Sequence, residues 1–225
     1  MGLFHAGLPD WLLTWVKTQG YQSAVETGTY LGNSAARLAS TLGQCTTIEL
    51  SEKLAADATT RFAGDSTVTV LQGSSGDLLP ELCAGLDEPT FFWLDGHWSG
   101  GVTAGDGQPC PLRDELAALA KSDLAGQHVV AVDDARLVGF PHSLDPHMES
   151  WPRLVEVLGS LEAMGLRTYL VDDVIVGVPA EKASSFEDLH ARKGIRQQAP
   201  MSLAWTWFDR VSNTSAIKAL LRRNR

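Results

Sequence analysis

The sequence predicts an α/β fold: a mostly parallel sheet, helices on both of its faces, and an antiparallel hairpin at its end. Three observations lead there. Short apolar runs at Ala24-Val25, Cys45-Thr46-Thr47-Ile48, Val68-Thr69-Val70-Leu71, Phe91-Phe92-Trp93-Leu94 and Val129-Val130-Ala131-Val132 alternate with stretches whose apolar residues repeat at helical intervals. That alternation is the pattern of strand–helix–strand units. The stretch Glu26-Thr27-Gly28-Thr29-Tyr30-Leu31-Gly32-Asn33-Ser34 then reads as strand, tight glycine turn and helix. Finally, only Asp172-Asp173 separates Thr168-Tyr169-Leu170-Val171 from Val174-Ile175-Val176-Gly177-Val178. Two residues cannot make a parallel crossover and imply a hairpin.

In chain order, Pro9 and Asp10 open a helix over 9–19 that Gly20 stops; proline suits a first helical turn. The first strand runs into Glu26, the next helix continues to about Leu42, and the second strand ends at Glu49. Ser51 is placed to cap a helix carrying Leu54, Ala55 and Ala58. The third strand gives way to the polar turn Gly73-Ser74-Ser75-Gly76-Asp77, where an adenine edge could be read or which is a plain surface turn. The fourth strand ends at Asp95, and the segment from Gly96 to Gly107 is too rich in glycine for a helix. A loop that long in a compact domain is often an active-site loop. Helix resumes over Pro111–Leu119, the fifth strand ends at Asp133-Asp134, and Leu154, Leu158 and Leu161 share one face of a helix ending near Gly165.

At 225 residues, one domain is expected, with its core over about 20–180 and a C-terminal extension over 180–225. In that extension Trp205, Trp207 and Phe208 pack on the core, cover the site or contact another subunit, so a homo-oligomer is an open expectation. The formal charge of −9 argues against a nucleic-acid surface. No apolar run is long enough to span a bilayer, and the N-terminal stretch lacks the pattern of an export signal. Cys45, Cys83 and Cys110 are odd in number and widely spaced, which favours the reducing cytoplasm over a disulfide framework.

The glycine turn is the first functional signal. Its spacing, E-x-G-x-x-x-G, differs from the dinucleotide fingerprint G-x-G-x-x-G, and Glu49 closes the next strand. Glycines there permit positive φ and close approach of a ligand, and the helix start beyond them offers free N–H groups. Glu49 is placed to accept from ribose hydroxyls, and Glu26 to meet a cationic ammonium. This combination resembles the first motifs of class I S-adenosylmethionine (SAM) dependent methyltransferases. That resemblance implies a Rossmann-like methyltransferase sheet, with SAM held by Glu26, Gly28, Thr29, Gly32, Asn33, Ser34, Glu49, Ser74, Ser75 and Asp95.

The second signal is acidic. Asp95, Asp133 and Asp134 come from the ends of strands expected to be neighbours, where ligands bind in open α/β sheets. Gathered carboxylates repel and need a cation or a shared proton; hard oxygen ligands suit magnesium, calcium or manganese. The alternative is that only one acid points inward while the others cap loops or meet Arg113 or Arg136. Leu94-Asp95-Gly96-His97-Trp98-Ser99 and Val132-Asp133-Asp134 resemble the metal-dependent macrocin-type sugar O-methyltransferases. The resemblance implies Asp95, Asp133 and Asp134 as magnesium ligands, with Asp95 also in the catalytic set. His97 stands where that family carries its basic aspartate, and it is a candidate base at neutral pH.

The expected activity is therefore SAM-dependent, metal-assisted O-methylation of a hydroxylated small molecule such as a sugar or glycosylated natural product. The competing readings are a non-catalytic SAM-binding or scaffolding protein, a nicotinamide-dependent oxidoreductase and a divalent-metal hydrolase.

Overall fold

Strands in the middle of a parallel sheet are covered on both sides, so their residues have no polar alternation. β4 (Phe91–Leu94) and β5 (Val129–Val132) satisfy that condition at every position. Around them lie β1 (Ser23–Thr27), β2 (Gln44–Glu49), β3 (Val68–Gln72), β6 (Leu166–Val171) and β7 (Val174–Pro179). The computed structural model describes residues 7–96, 110–139 and 151–191. The seven strands form one sheet in the order β3-β2-β1-β4-β5-β7-β6. All neighbouring pairs are parallel except β5 with β7 and β7 with β6. The reversed strand of the hairpin is thus inserted beside β5, and β6 forms the edge.

Helices α1 (Asp10–Thr18), α2 (Asn33–Leu42), α3 (Glu52–Arg61), α4 (Ser75–Ala84), α5 (Leu112–Leu119), α6 (Ala135–Val138) and α7 (Leu154–Ala163) connect or cover the strands. On one face Val25, Ile48, Phe92, Leu94, Val130, Val132 and Ile175 form a core with Leu79 and Cys83 of α4, Leu116 and Leu119 of α5, and Leu161 of α7. The other face carries Glu26, Thr47, Trp93 and Ala131 in register. There α2 packs on β1 and β2 and buries Ala35, Leu38, Ala39 and Leu42. Ser51 caps α3 as the sequence predicts, its Oγ accepting from the Leu54 amide at 3.4 Å.

The sequence reading has a polar turn over Gly73–Asp77, whereas the structure starts α4 within it, at Ser75, and carries Pro80 inside the helix. Proline inside a helix removes one backbone hydrogen bond; here Leu79 and Cys83 are buried in the core and hold the helix in place.

The chain divides into two compact units, Met1–Lys182 and Ala183–Arg225. The sheet lies in the first, and the described part of the second is a helix over 183–191. Among the described residues no helix is long and apolar enough to cross a membrane.

Candidate functional site

The strand order turns at β1, whose neighbours β2 and β4 lead in opposite directions along the sheet. Crevices beyond the carboxyl ends of strands at such a point are where open α/β sheets take ligands. Glu26, near the end of β1, is fully buried there. Its Oε2 accepts from Thr47 Oγ1 at 2.6 Å, and Thr47 Oγ1 lies 2.6 Å from Thr29 Oγ1. A hydroxyl has one proton, so with Thr47 donating to Glu26, Thr29 donates to Thr47. Oε1 of Glu26 is buried with no hydrogen-bond partner among the described residues. Burial pushes the carboxyl up to about 7, with the Ser34 and Thr47 hydroxyls opposing and the Glu49 charge adding to the rise. Trp93, the register partner of Glu26 on β4, leaves its buried Nε1–H equally unmatched. One face of the switch point therefore holds a buried acceptor and a buried donor, each without a hydrogen-bond partner among the described residues.

Glu49 contrasts with this. Its Oε2 accepts from the Tyr30 amide and its Oε1 from the Ser51 amide, both at 2.9 Å, so two backbone donors hold the carboxylate against the turn. Tyr30 adopts φ 46°, a left-handed conformation uncommon for a bulky side chain. Around this carboxylate Tyr30, Leu31 and Leu50 are exposed.

The two glycines each allow a close packing contact. At Gly28 (φ 84°) an added Cβ would lie 2.2 Å from the Asp95 carbonyl oxygen, so glycine lets the β1 turn meet the end of β4. At Gly32 (φ 73°) it would lie 2.8 Å from the Phe62 ring, so glycine there seats α2 against the end of α3. Arg61 crosses the same rim, its Nη1 donating to Leu31 O and to Asn33 Oδ1 (2.9 Å). Ser74 is half-buried and lines a cavity of about 320 Å³ with Gly76, Asp77, Asp114 and Lys121. Ser75 turns inward instead, donating to the buried Glu115 Oε1 at 2.6 Å. Glu115 Oε1 also lies 3.1 Å from where a Cβ on Gly96 would sit. Thr47, Trp93, Arg61 and Glu115 escape the sequence reading. Thr47 alone carries a usable signal, two residues before Glu49 on the same face of β2.

Asp95 and Asp133 follow neighbouring strands, as the sequence predicts; the Asp133 amide donates to Leu94 O at 3.1 Å. Asp95 is half-buried, its amide donating to Thr27 O and Thr27 Oγ1. The metal expectation fares differently. Among the described residues no group of three or more His, Cys, Asp and Glu side chains converges to hold an ion. Asp133 is buried and its Oδ1 accepts from the Asp134 amide at 2.8 Å. Asp134, at φ 53°, pairs its Oδ1 with Arg136 Nη1 at 2.6 Å. The three carboxylates as arranged do not fit a divalent ion. Of the two arginines in the alternative reading, Arg136 is the one engaged, while Arg113 pairs with Glu156. His97, most of the glycine-rich loop and Trp205, Trp207 and Phe208 lie outside the described residues.

No family model matches the sequence, and neither does any curated protein. Among solved structures the chain is similar to the SAH-bound methyltransferase PaMTH1 of Podospora anserina, at 16% identity over 75% of this chain and 76% of that one (TM-score 0.48). It is similar to DesVI of Streptomyces venezuelae at 17% identity over 73% and 86% (TM-score 0.49). A third is NcsB1, an O-methyltransferase from neocarzinostatin biosynthesis, at 19% identity over 74% of this chain and 51% of that one (TM-score 0.47). This chain thus spans about half the length of NcsB1.

Proposed function

We propose that this chain is a SAM-dependent O-methyltransferase acting on a hydroxylated small molecule. The observation that carries the reading is Glu26, a buried carboxylate at the switch point with one oxygen unmatched. An uncompensated buried charge is costly, and a ligand ammonium is the group that relieves it. Trp93 Nε1–H on the same face supplies a donor for the carboxylate of the same amino-acid end. Glu49, held by two amides, keeps lone pairs for ribose hydroxyls. Gly28 and Gly32 shape the turn, Thr29 and Ser34 tune Glu26, Asn33 opens α2, and Ser74 and Asp95 flank the adenosyl side. Ser75 is a support, spent on Glu115.

Bound SAM supplies an electrophilic methyl group on a sulfonium. The chain's own task is alignment of the acceptor oxygen with that methyl and removal of its proton, most of the rate coming from positioning and electrostatics. We assign the proton to His97. The sugar or glycosylated natural product of the family resemblance is the acceptor class to try first. The free, buried cysteines suit a reducing compartment, hence the cytoplasm. Because the aspartates do not fit a divalent ion, no step runs through one.

Titration calorimetry with SAM and with its demethylated product tests the cofactor. Binding should weaken about 10- to 100-fold in Glu49→Gln, the range for charge-assisted hydrogen bonds. No heat and no thermal stabilisation by either compound would refute the reading, and tighter binding of a nicotinamide dinucleotide would favour an oxidoreductase. Labelled methyl transfer to a panel of hydroxylated metabolites, lost in His97→Ala at neutral pH, tests the reaction. Binding without turnover across the panel would favour a scaffolding role, and SAM-independent ester hydrolysis a hydrolase.

A further inference from the structure

Helix α6 begins immediately after the β5 acids, and the turn between β6 and β7 folds back onto it. The Ala135 amide donates to Asp173 O and the Arg136 amide to Asp173 Oδ1, both at 2.8 Å. Arg136 Nη1 then pairs with Asp173 Oδ2 and with Asp134 Oδ1. One guanidinium nitrogen is therefore shared by two carboxylates whose side chains are each only 14% exposed. Repulsion between carboxylates at a strand end demands a cation, and this chain carries that cation covalently, two residues beyond Asp134.

We infer that Arg136 is the resident counter-ion of this end of the sheet and that it excludes a divalent metal from Asp134 and Asp173. A guanidinium forks between carboxylates with fixed geometry and never loses its proton. An incoming ion would have to displace it and leave a cation beside the metal. The backbone amides that fix Asp173 on α6 make the arrangement part of the fold and not a passing surface contact. Exclusion of the ion at this end of the sheet holds with or without the methyltransferase reading.

Manganese titration followed by electron paramagnetic resonance, on the full chain, tests the inference. The wild type should bind Mn2+ no more tightly than millimolar. Arg136→Gln, which frees both carboxylates, should bind at least about tenfold more tightly, and the gain should vanish in the double variant with Asp134→Asn. Arg136→Lys, which keeps the charge, should behave as wild type. Micromolar wild-type binding that Asp134→Asn abolishes would overturn the inference, as would a folded Arg136→Gln no tighter than wild type. If Arg136→Gln does not fold, the wild-type titration decides alone. Calorimetry of SAM with and without chelator runs in parallel. Absence of SAM binding would sink the methyltransferase reading while leaving the manganese result intact.

Discussion

Replacing Glu26 by Gln separates what the site costs from what it does. The carboxyl, ordinarily near 4.5, sits at about 7 in the folded chain, chiefly through burial. Between those two values the folded chain keeps a proton that the unfolded chain has released. Stability attached to this group is therefore complete below pH 4.5 and lost as pH rises to 7. The full loss is about 3 kcal/mol, from about 1.36 kcal/mol for each pH unit between the two values. Glutamine abolishes that titration but brings its own constant cost in imperfect hydrogen bonds, which cancels in a comparison of two pH values. Urea unfolding at pH 5 and pH 8 should show the stability of E26Q relative to wild type rising by about 2–3 kcal/mol across that interval. The same variant should lose thermal stabilisation by SAM, and wild-type SAM affinity should strengthen as pH rises through 7. A double difference within about 0.5 kcal/mol, the scatter of ordinary surface changes, would show that Glu26 is not a strained buried acid.

Gly28→Ala places a Cβ 2.2 Å from the Asp95 carbonyl oxygen, whereas Gly64, at a similar φ of 87°, has nothing within 4 Å. Denaturant unfolding should show Gly64→Ala losing about 1–2 kcal/mol for the left-handed conformation alone and Gly28→Ala clearly more; equal losses would mean the Asp95 contact does not matter. His128 is buried, its Nδ1 accepting from the Thr90 amide, and burial pushes it down to about 4. The unfolded chain gains a proton below pH 6.5 that the folded chain refuses until 4, so stability falls with pH across that window. Between pH 7 and 4.5 wild type should lose about 2 kcal/mol more than His128→Gln; parallel losses in unfolding curves would reject the assignment.

The parts legible in the sequence are those fixed by chain-local chemistry. Apolar runs ending in Glu26, Glu49, Asp95 and Asp133 mark strand ends, because the change from apolar to acidic side chains is a property of neighbouring residues. The two-residue link at Asp172-Asp173 gives away the hairpin for the same reason. What stayed hidden depends on register. That Thr47 reaches Glu26, or that Trp93 sits beside it, follows from strand pairing that no local pattern encodes. Glu115 reads as a surface acid in the first turn of a helix, where acids are common, until Ser75 is found opposite it. The magnesium expectation turns on a similar point: strand-end acids are visible in the sequence, but that Arg136 pairs with Asp134, which sits in a left-handed turn, is not.

The acids at this end of the sheet differ in how each is satisfied, and the difference says where a ligand charge belongs. Glu49 has a backbone amide on each oxygen, and Asp134 and Asp173 share a guanidinium. A cation added to either gains less, because each carboxylate is already compensated. Glu26 has only neutral hydroxyls, those of Thr47 and Ser34, to oppose its burial, and its Oε1 has no hydrogen-bond partner among the described residues. A cationic group arriving there removes a cost that the empty fold carries, so the same interaction yields more free energy than at any neighbouring carboxylate. A ligand cation therefore gains more at β1 than at the acids that follow β5, which agrees with the proposed seat of an ammonium at Glu26.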